Sequence, residues 1–221
     1  LKKTYAPEFR IPLVLTVFVL FAAMMPAFVG LRDARAELLH LKVDPDQSTI
    51  STSVAEPAAL IRGSAVGTFR IIDGEVSCDF AHIQSTARVR MIIDATSYRS
   101  SSAARDRSVS ATSLESDKFP AIGFESKSVV AVVMLGANEG TAIVNGLLTL
   151  HGETHPMSVP VHATLGASGA FVGDGEVKFN YEEFGVKVPA AMFGAILAGN
   201  EVTVRFHIVA ARAPATAPGI P

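Results

Sequence analysis

Several stretches of this chain alternate apolar and polar residues with a period of two, and that rhythm sets narrow limits on what it can fold into. In Thr86–Asp94, Ala87, Val89, Met91 and Ile93 share one face, while Thr86, Arg88, Arg90 and Asp94 share the other. Only Ile92 breaks the order. Glu201–Val209 sets Val202, Val204, Phe206 and Ile208 against Thr203, Arg205 and His207. Gly175–Glu182 opposes Val177, Phe179 and Tyr181 to Lys178, Asn180 and Glu182. A strand with one dry and one wet face requires this pattern. Further strands are expected at Thr49–Val54, Val66–Ile72, Glu75–Phe80, Ala121–Ser126, Val129–Leu135, Thr141–Leu150 and Met157–Leu165.

Turn chemistry separates these segments at Asp73-Gly74, Ala137–Gly140, His151–Thr154, Gly166–Gly169 and Gly173–Gly175. Many strands at short spacing predict an all-β antiparallel barrel or sandwich. No regular helix separates consecutive strands, which disfavours a parallel α/β fold. One polar, Ser-rich stretch, Ser97–Phe119, lacks alternation and predicts a short helix near Ala103–Leu114 laid across the barrel. Glu56–Gly63 reads as a second helical turn, and the Pro/Ala-rich tail 213–221 as disordered.

The first 36 residues read as an address. Ile11–Leu31 carries no charge, Lys2, Lys3 and Arg10 precede it, and Ala34-Arg35-Ala36 resembles a cleavage site before Glu37. This is the layout of a signal peptide, and the run is also just long enough for an uncleaved anchor helix. Either one places the domain at 37–212 outside the cytoplasm, periplasmic or secreted; an anchor would tether it to the inner membrane. The first 36 residues carry a net +3, so the remainder is mildly acidic within a total of −2. That balance argues against nucleic acid as a partner. The single cysteine, Cys78, excludes an intramolecular disulfide and a cysteine-only metal cage.

No catalytic or metal signature emerges. His151 and His155 are four apart, but Gly152 and Pro156 make the backbone a turn, and no third ligand lies nearby. His162 and His207 fall on the polar faces of strands. Cys78 has no local base to stabilise a thiolate and reads as a packed thiol. Asp44 and Asp46, and Glu182 and Glu183, read as turn and rim charges. Gly63–Gly67 lacks the lysine of a phosphate loop. The triplet Arg105-Asp106-Arg107 reads as a solvated helix face or as a partner for barrel backbone or a ligand head group.

A run of short motifs in order then resembles the YceI family of periplasmic lipocalin-like proteins associated with polyisoprenoid binding. These are Val43–Ser48, Gly67-Thr-Phe69, Asp73–Val76 with Asp79, and Ile93-Asp94-Ala-Thr-Ser97 with Arg105-Asp106. Phe119–Ser126, Asn145–Gly152, Tyr181–Val186 and Glu201–His207 continue the series. The chain departs from the family pattern at Ser100–Ser102, where Asn is common, at Tyr181 in place of Arg, and at Gly123 in place of Thr. The resemblance implies an eight-stranded antiparallel lipocalin-like barrel with one or two short helices and a long apolar pore. It implies a non-catalytic carrier of a long-chain isoprenoid or similar lipid, with no cofactor.

Small inward side chains, among them Ala87, Val144, Gly146 and Ala163, leave volume for a linear apolar chain. Strand parity nominates Phe69, Val89, Met91, Ile93, Ile122, Phe124, Val144, Leu148, Phe179, Phe184, Met192, Phe193, Val204 and Phe206 as ligand-binding residues. Two other readings stay open: a filled barrel acting as a secreted stress or interaction protein, and a lipid enzyme using the Ser97–Asp106 cluster. Homodimerisation is compatible with all three.

Overall fold

The computed structural model describes residues 38–56, 63–79, 82–187, 190–191, 196–197 and 200–212. The expected export segment and the tail at 213–221 lie outside them, as does 57–62 of the helical turn expected at Glu56–Gly63, whose two end residues instead pair as strand. In chain order the elements are β1 (Leu39–Val43), β2 (Thr49–Glu56), β3 (Gly63–Cys78), α1 (Ile83–Thr86) and β4 (Arg88–Ser100). Then come α2 (Ala103–Ser108), a π-helical turn (Val109–Ser113), β5 (Ala121–Gly136), β6 (Glu139–Leu150), β7 (Glu153–Leu165) and β8 (Phe171–Asn180). A 3-10 turn (Tyr181–Phe184), the two-residue pair β9 (Ala190–Ala191) and β10 (Ile196–Leu197), and β11 (Glu201–Ala211) complete the chain.

Every pairing is antiparallel, and the sheet closes because β11 joins β8 on one side and β1 and β2 on the other. β1 and β2 lie end to end between β3 and β11, with Asp44 capping the turn that joins them, so the nine strands form eight staves. The expected eight-stranded antiparallel barrel is therefore the fold of this chain. Closure removes exposed sheet edges that would otherwise invite aggregation.

Two expected turns are strand interiors. Asp73-Gly74 lies within β3, next to a register shift, because a Cβ at Gly74 would sit 2.6 Å from Val43 Cγ2 and 2.8 Å from Met91 Sδ. Gly173–Gly175 lies within β8, where a Cβ at Gly175 would meet the Phe206 ring, 2.8 Å from Cε1. Both glycines serve close approach rather than chain reversal. The expected break at Lys127-Ser128 is also absent: β5 runs through it with register shifts at Ser126/Ser128 and Val130/Val133.

The Ile-Asp-x-x-Ser segment builds a bulge. Between the pairs Arg70–Asp94 and Thr68–Arg99, β3 advances two residues while β4 advances five. Asp94 Oδ1 accepts from Thr96 N (3.0 Å) and Thr96 Oγ1 (2.6 Å), and Oδ2 accepts from Arg70 (2.6 Å). Ser97 Oγ donates to Asp94 O at 2.6 Å and accepts from Arg70 N at 2.8 Å. The Thr96 hydroxyl, then Arg70, hold the Asp94 carboxyl below the usual aspartate range.

A carboxyl lowered on folding stabilises the fold fully above its unfolded pKa, about 3.9. That contribution disappears as the pH falls through the lower folded value. Asp94→Asn is expected to cost about 1–2 kcal/mol at pH 7. The gap to wild type should close in acid, read as urea midpoints at pH 7 and pH 3. A gap unchanged at pH 3 would show that charge on Asp94 is not what pins the bulge.

Candidate functional site

The inward faces of the staves do not meet. They surround a cavity of about 810 Å³ running from α2 and the π-helical turn at one end to the β5–β6 hairpin at the other. Its wall is mostly aliphatic and aromatic, and polar side chains gather at the ends. Ser102, Arg105 and Ser108 lie at the helical end, and Asn138 and Glu139 at the hairpin end. The volume falls in the upper part of the roughly 300–1,000 Å³ range of small-molecule sites.

Of the residues nominated from the sequence, Phe69 on β3 and Val89, Met91 and Ile93 on β4 line this cavity. So do Ile122 and Phe124 on β5, Val144 and Leu148 on β6, Phe179 on β8, and Val204 and Phe206 on β11. Phe184 does not. It is 1% exposed and packs beside the cavity, its ring 5.5 Å from Phe179 and 4.8 Å from His155. It lies in the 3-10 turn after β8, out of step with the inward row of Val177 and Phe179, and Gly185, with φ 67°, then turns the chain away. Met192 and Phe193 lie outside the described residues.

Parity missed other parts of the wall. Tyr98, Val109 and Leu114 line the helical end. Tyr98 follows the three-residue bulge in β4, which resets alternation, and the other two come from a segment with no period. Val161, Val177, Val202 and Ile208 also line the cavity, and the same alternation that nominated their neighbours would have found them.

The helical crossover is tied down by polar bonds. Asp106 Oδ1 accepts from Ser100 N (2.8 Å) and Ser100 Oγ (2.6 Å), and Ser102 caps α2 by accepting from Arg105 N. Asp106 thus bonds to barrel backbone. On the far side, His151 Nε2 lies 2.9 Å from Glu115 Oε2, and its Nδ1 lies 3.3 Å from Phe184 O. His151 therefore fastens the chain after the π-helical turn to the 3-10 turn, while His155 packs edge-on against Phe184.

The described wall is chemically quiet. Burial, then the charge of Asp79, pushes the Cys78 thiol above its ordinary value, so it is protonated at neutral pH. Burial likewise raises the Tyr98 phenol. His162 and His207 point outward, paired to Glu139 (2.8 Å) and Asp174 (2.7 Å). Such a site can desolvate a long apolar molecule along its length and offer hydrogen bonds at its ends.

Comparison with known proteins agrees with this geometry. A UPF0312 protein of Shewanella baltica is 30% identical over 129 residues, spanning 56% of this chain and 64% of its own length. One from Pseudomonas putida is 33% identical over 133 residues, spanning 57% and 65%. The match thus spans a little under two thirds of these relatives. Among solved structures, Burkholderia cenocepacia BcnA superposes with a TM-score of 0.62 at 22% identity, over 76% of this chain and 99% of its own. A polyisoprenoid-binding domain from Saccharophagus degradans, implicated in plant cell wall breakdown, gives 0.59 at 13% identity, over 80% and 100%. At these identities the structures speak to fold. The model of the YceI-like domain matches residues 41–210, nearly the whole barrel, and the chain belongs to that family.

Proposed function

We propose that this protein is a non-catalytic carrier that holds the chain of an isoprenoid or comparable long-chain lipid inside the barrel. The observation that carries the reading is the 810 Å³ cavity itself, mostly apolar along its length, with the charged side chains of its lining, Arg105 and Glu139, at its ends. Burying apolar ligand surface contributes about 25 cal/mol per Å² before ordering costs, so a long chain gains affinity without any specific polar contact. The polyisoprenoid-binding domain of similar fold supports the same ligand class. A filled barrel would lack this cavity. The lipid-enzyme reading needs a nucleophile beside a base. Ser100 Oγ does lie 2.6 Å from Asp106 Oδ1, but neither residue lines the cavity, and the same carboxylate oxygen also holds Ser100 N. The protein works outside the cytoplasm, in the periplasm or secreted, where the basic and apolar N-terminal segment would direct it.

Native mass spectrometry of the protein purified from its source cell, followed by solvent extraction, tests the reading. The expected result is a stoichiometric adduct that releases an isoprenoid or acyl lipid. A bare mass that persists after incubation with isoprenoid quinones, polyprenyl lipids and fatty acids would overturn it.

A further inference from the structure

The wall of the cavity at its hairpin end has an outer side, and that side is apolar too. Residues 128–138 of the β5–β6 hairpin carry no charge. Val129, Val132 and Met134 line the cavity, Met134 while still 52% exposed, whereas Val130, Val133 and Leu135, 40%, 54% and 59% exposed, lie outside its lining. A bulge makes this division. Ala131, with φ 51°, is an extra residue between the pairs Val130–Ile143 and Val133–Thr141, so the inward set shifts from 129 to 132 and 134. Ile143 and Pro160 continue the outward row from Val130 across β6 and β7.

Resting on the carrier reading above, we infer that this hairpin tip docks on a phospholipid bilayer, seating the end of the cavity where its cargo dissolves. Exposed contiguous apolar surface marks an interaction site, and here adjacent residues of one strand form the outer surface and the cavity wall. A bilayer fits because the chain of a lipid passing between membrane and cavity at this end would slide along Val132 and Met134, with Asn138 and Glu139 left at the rim for its polar head. A second copy of the chain fits less well. The bulges at Ser126/Ser128, Val130/Val133 and Met134/Gly136 twist the strand away from the flat edge that pairing requires. Glu139, which follows the tip, has its carboxylate 2.8 Å from His162 Nε2, and residues 128–138 carry no charge, so the docking is apolar and independent of anionic lipid.

The test uses the full chain with Leu135→Cys carrying an environment-sensitive fluorophore, mixed with phosphatidylcholine vesicles. Lys178→Cys, on the outer face of β8, is the control, and Cys78 is buried. Each label reports its own position, whatever the first 36 residues do at the same vesicle. The expected result is a blue shift and quenching by chain-borne quenchers about fivefold stronger at 135 than at 178, abolished by Val133→Asp. Equal responses at both sites would overturn the inference, as would a shift that needs only higher protein concentration and no vesicles. Extracting bound lipid from the same preparation separates the two readings. A lipid-loaded protein with a silent hairpin overturns docking alone. An inserted hairpin on a protein that takes up no lipid supports docking and fails the carrier.

Discussion

Val204→Trp is expected to abolish lipid loading while leaving the barrel folded. Val204 sits midway along β11, between Thr52 of β2 and Val177 of β8, and faces the cavity. It packs against both large core clusters, one toward the helical end around Phe184 and Leu148, the other around Leu41 and Ile71. An indole there projects into open apolar space at the waist of the cavity, where a linear ligand must pass. Overpacking is costly where atoms already touch, and here the new ring has volume to enter. Affinity for a polyprenyl lipid should fall at least about 100-fold, roughly 2.7 kcal/mol, and the thermal midpoint should stay within about 5 °C. Thr203→Trp, one residue along on the outer face, should leave binding unchanged. Wild-type loading in Val204→Trp would mean that ligand does not traverse the waist.

The barrel was legible because period two is a strong signal when one face is buried. Alternation in β4 and β11 placed Val89, Met91, Val204 and Phe206 on the cavity side, where they lie. Glycine was the weak point. Gly74, Gly173 and Gly175 read as turns because a sequence shows that a side chain is missing and not what occupies its space. In the fold, Val43 and Met91 occupy it at Gly74, Phe171 at Gly173 and Phe206 at Gly175. Bulges were the second weak point. An extra residue flips every later side chain, so the bulge before Tyr98 and the one at Ala131 hid part of the cavity wall and the outer apolar row.

The ordered motifs gave the family without showing what they do, and the structure supplies that physics. Asp94, Thr96 and Ser97 pin the β4 bulge, Asp106 anchors the crossover, and Pro120 O accepts from Ala95 N at 2.9 Å. Ser126 Oγ, buried in β5, accepts from Val89 N near the start of β4 at 2.7 Å. Most of the recognisable residues therefore hold the helical end of the barrel together. The cavity wall uses interchangeable apolar residues, which is why it carries a parity signal and few motifs. Neither signal names a cargo: an apolar wall can select only for length and apolarity, so any selectivity would lie with the polar groups at the ends.

Gly67→Ala should be among the most damaging single-methyl changes in the barrel. Gly67 pairs with Thr52 and Ser100 in β3, and a Cβ there would lie 2.5 Å from Tyr98 Oη and closer still to its ring carbons. Tyr98 is 6% exposed and its ring stacks at 5.2 Å on Phe69. It cannot step back, because the Asp94 and Asp106 bonds fix β4 on both sides of it. The expected cost is about 3 kcal/mol, which lowers the melting temperature by roughly 6–12 °C. Tyr98→Ala alone removes the plug at the helical end and is itself destabilising. In that background Gly67→Ala should be neutral or slightly stabilising, since alanine loses less backbone entropy than glycine in a strand. The double-mutant cycle therefore has a definite sign. A Gly67→Ala penalty that persists unchanged in Tyr98→Ala would locate the clash elsewhere, and the Gly-x-Phe pattern would not exist to seat this tyrosine over the end of the cavity.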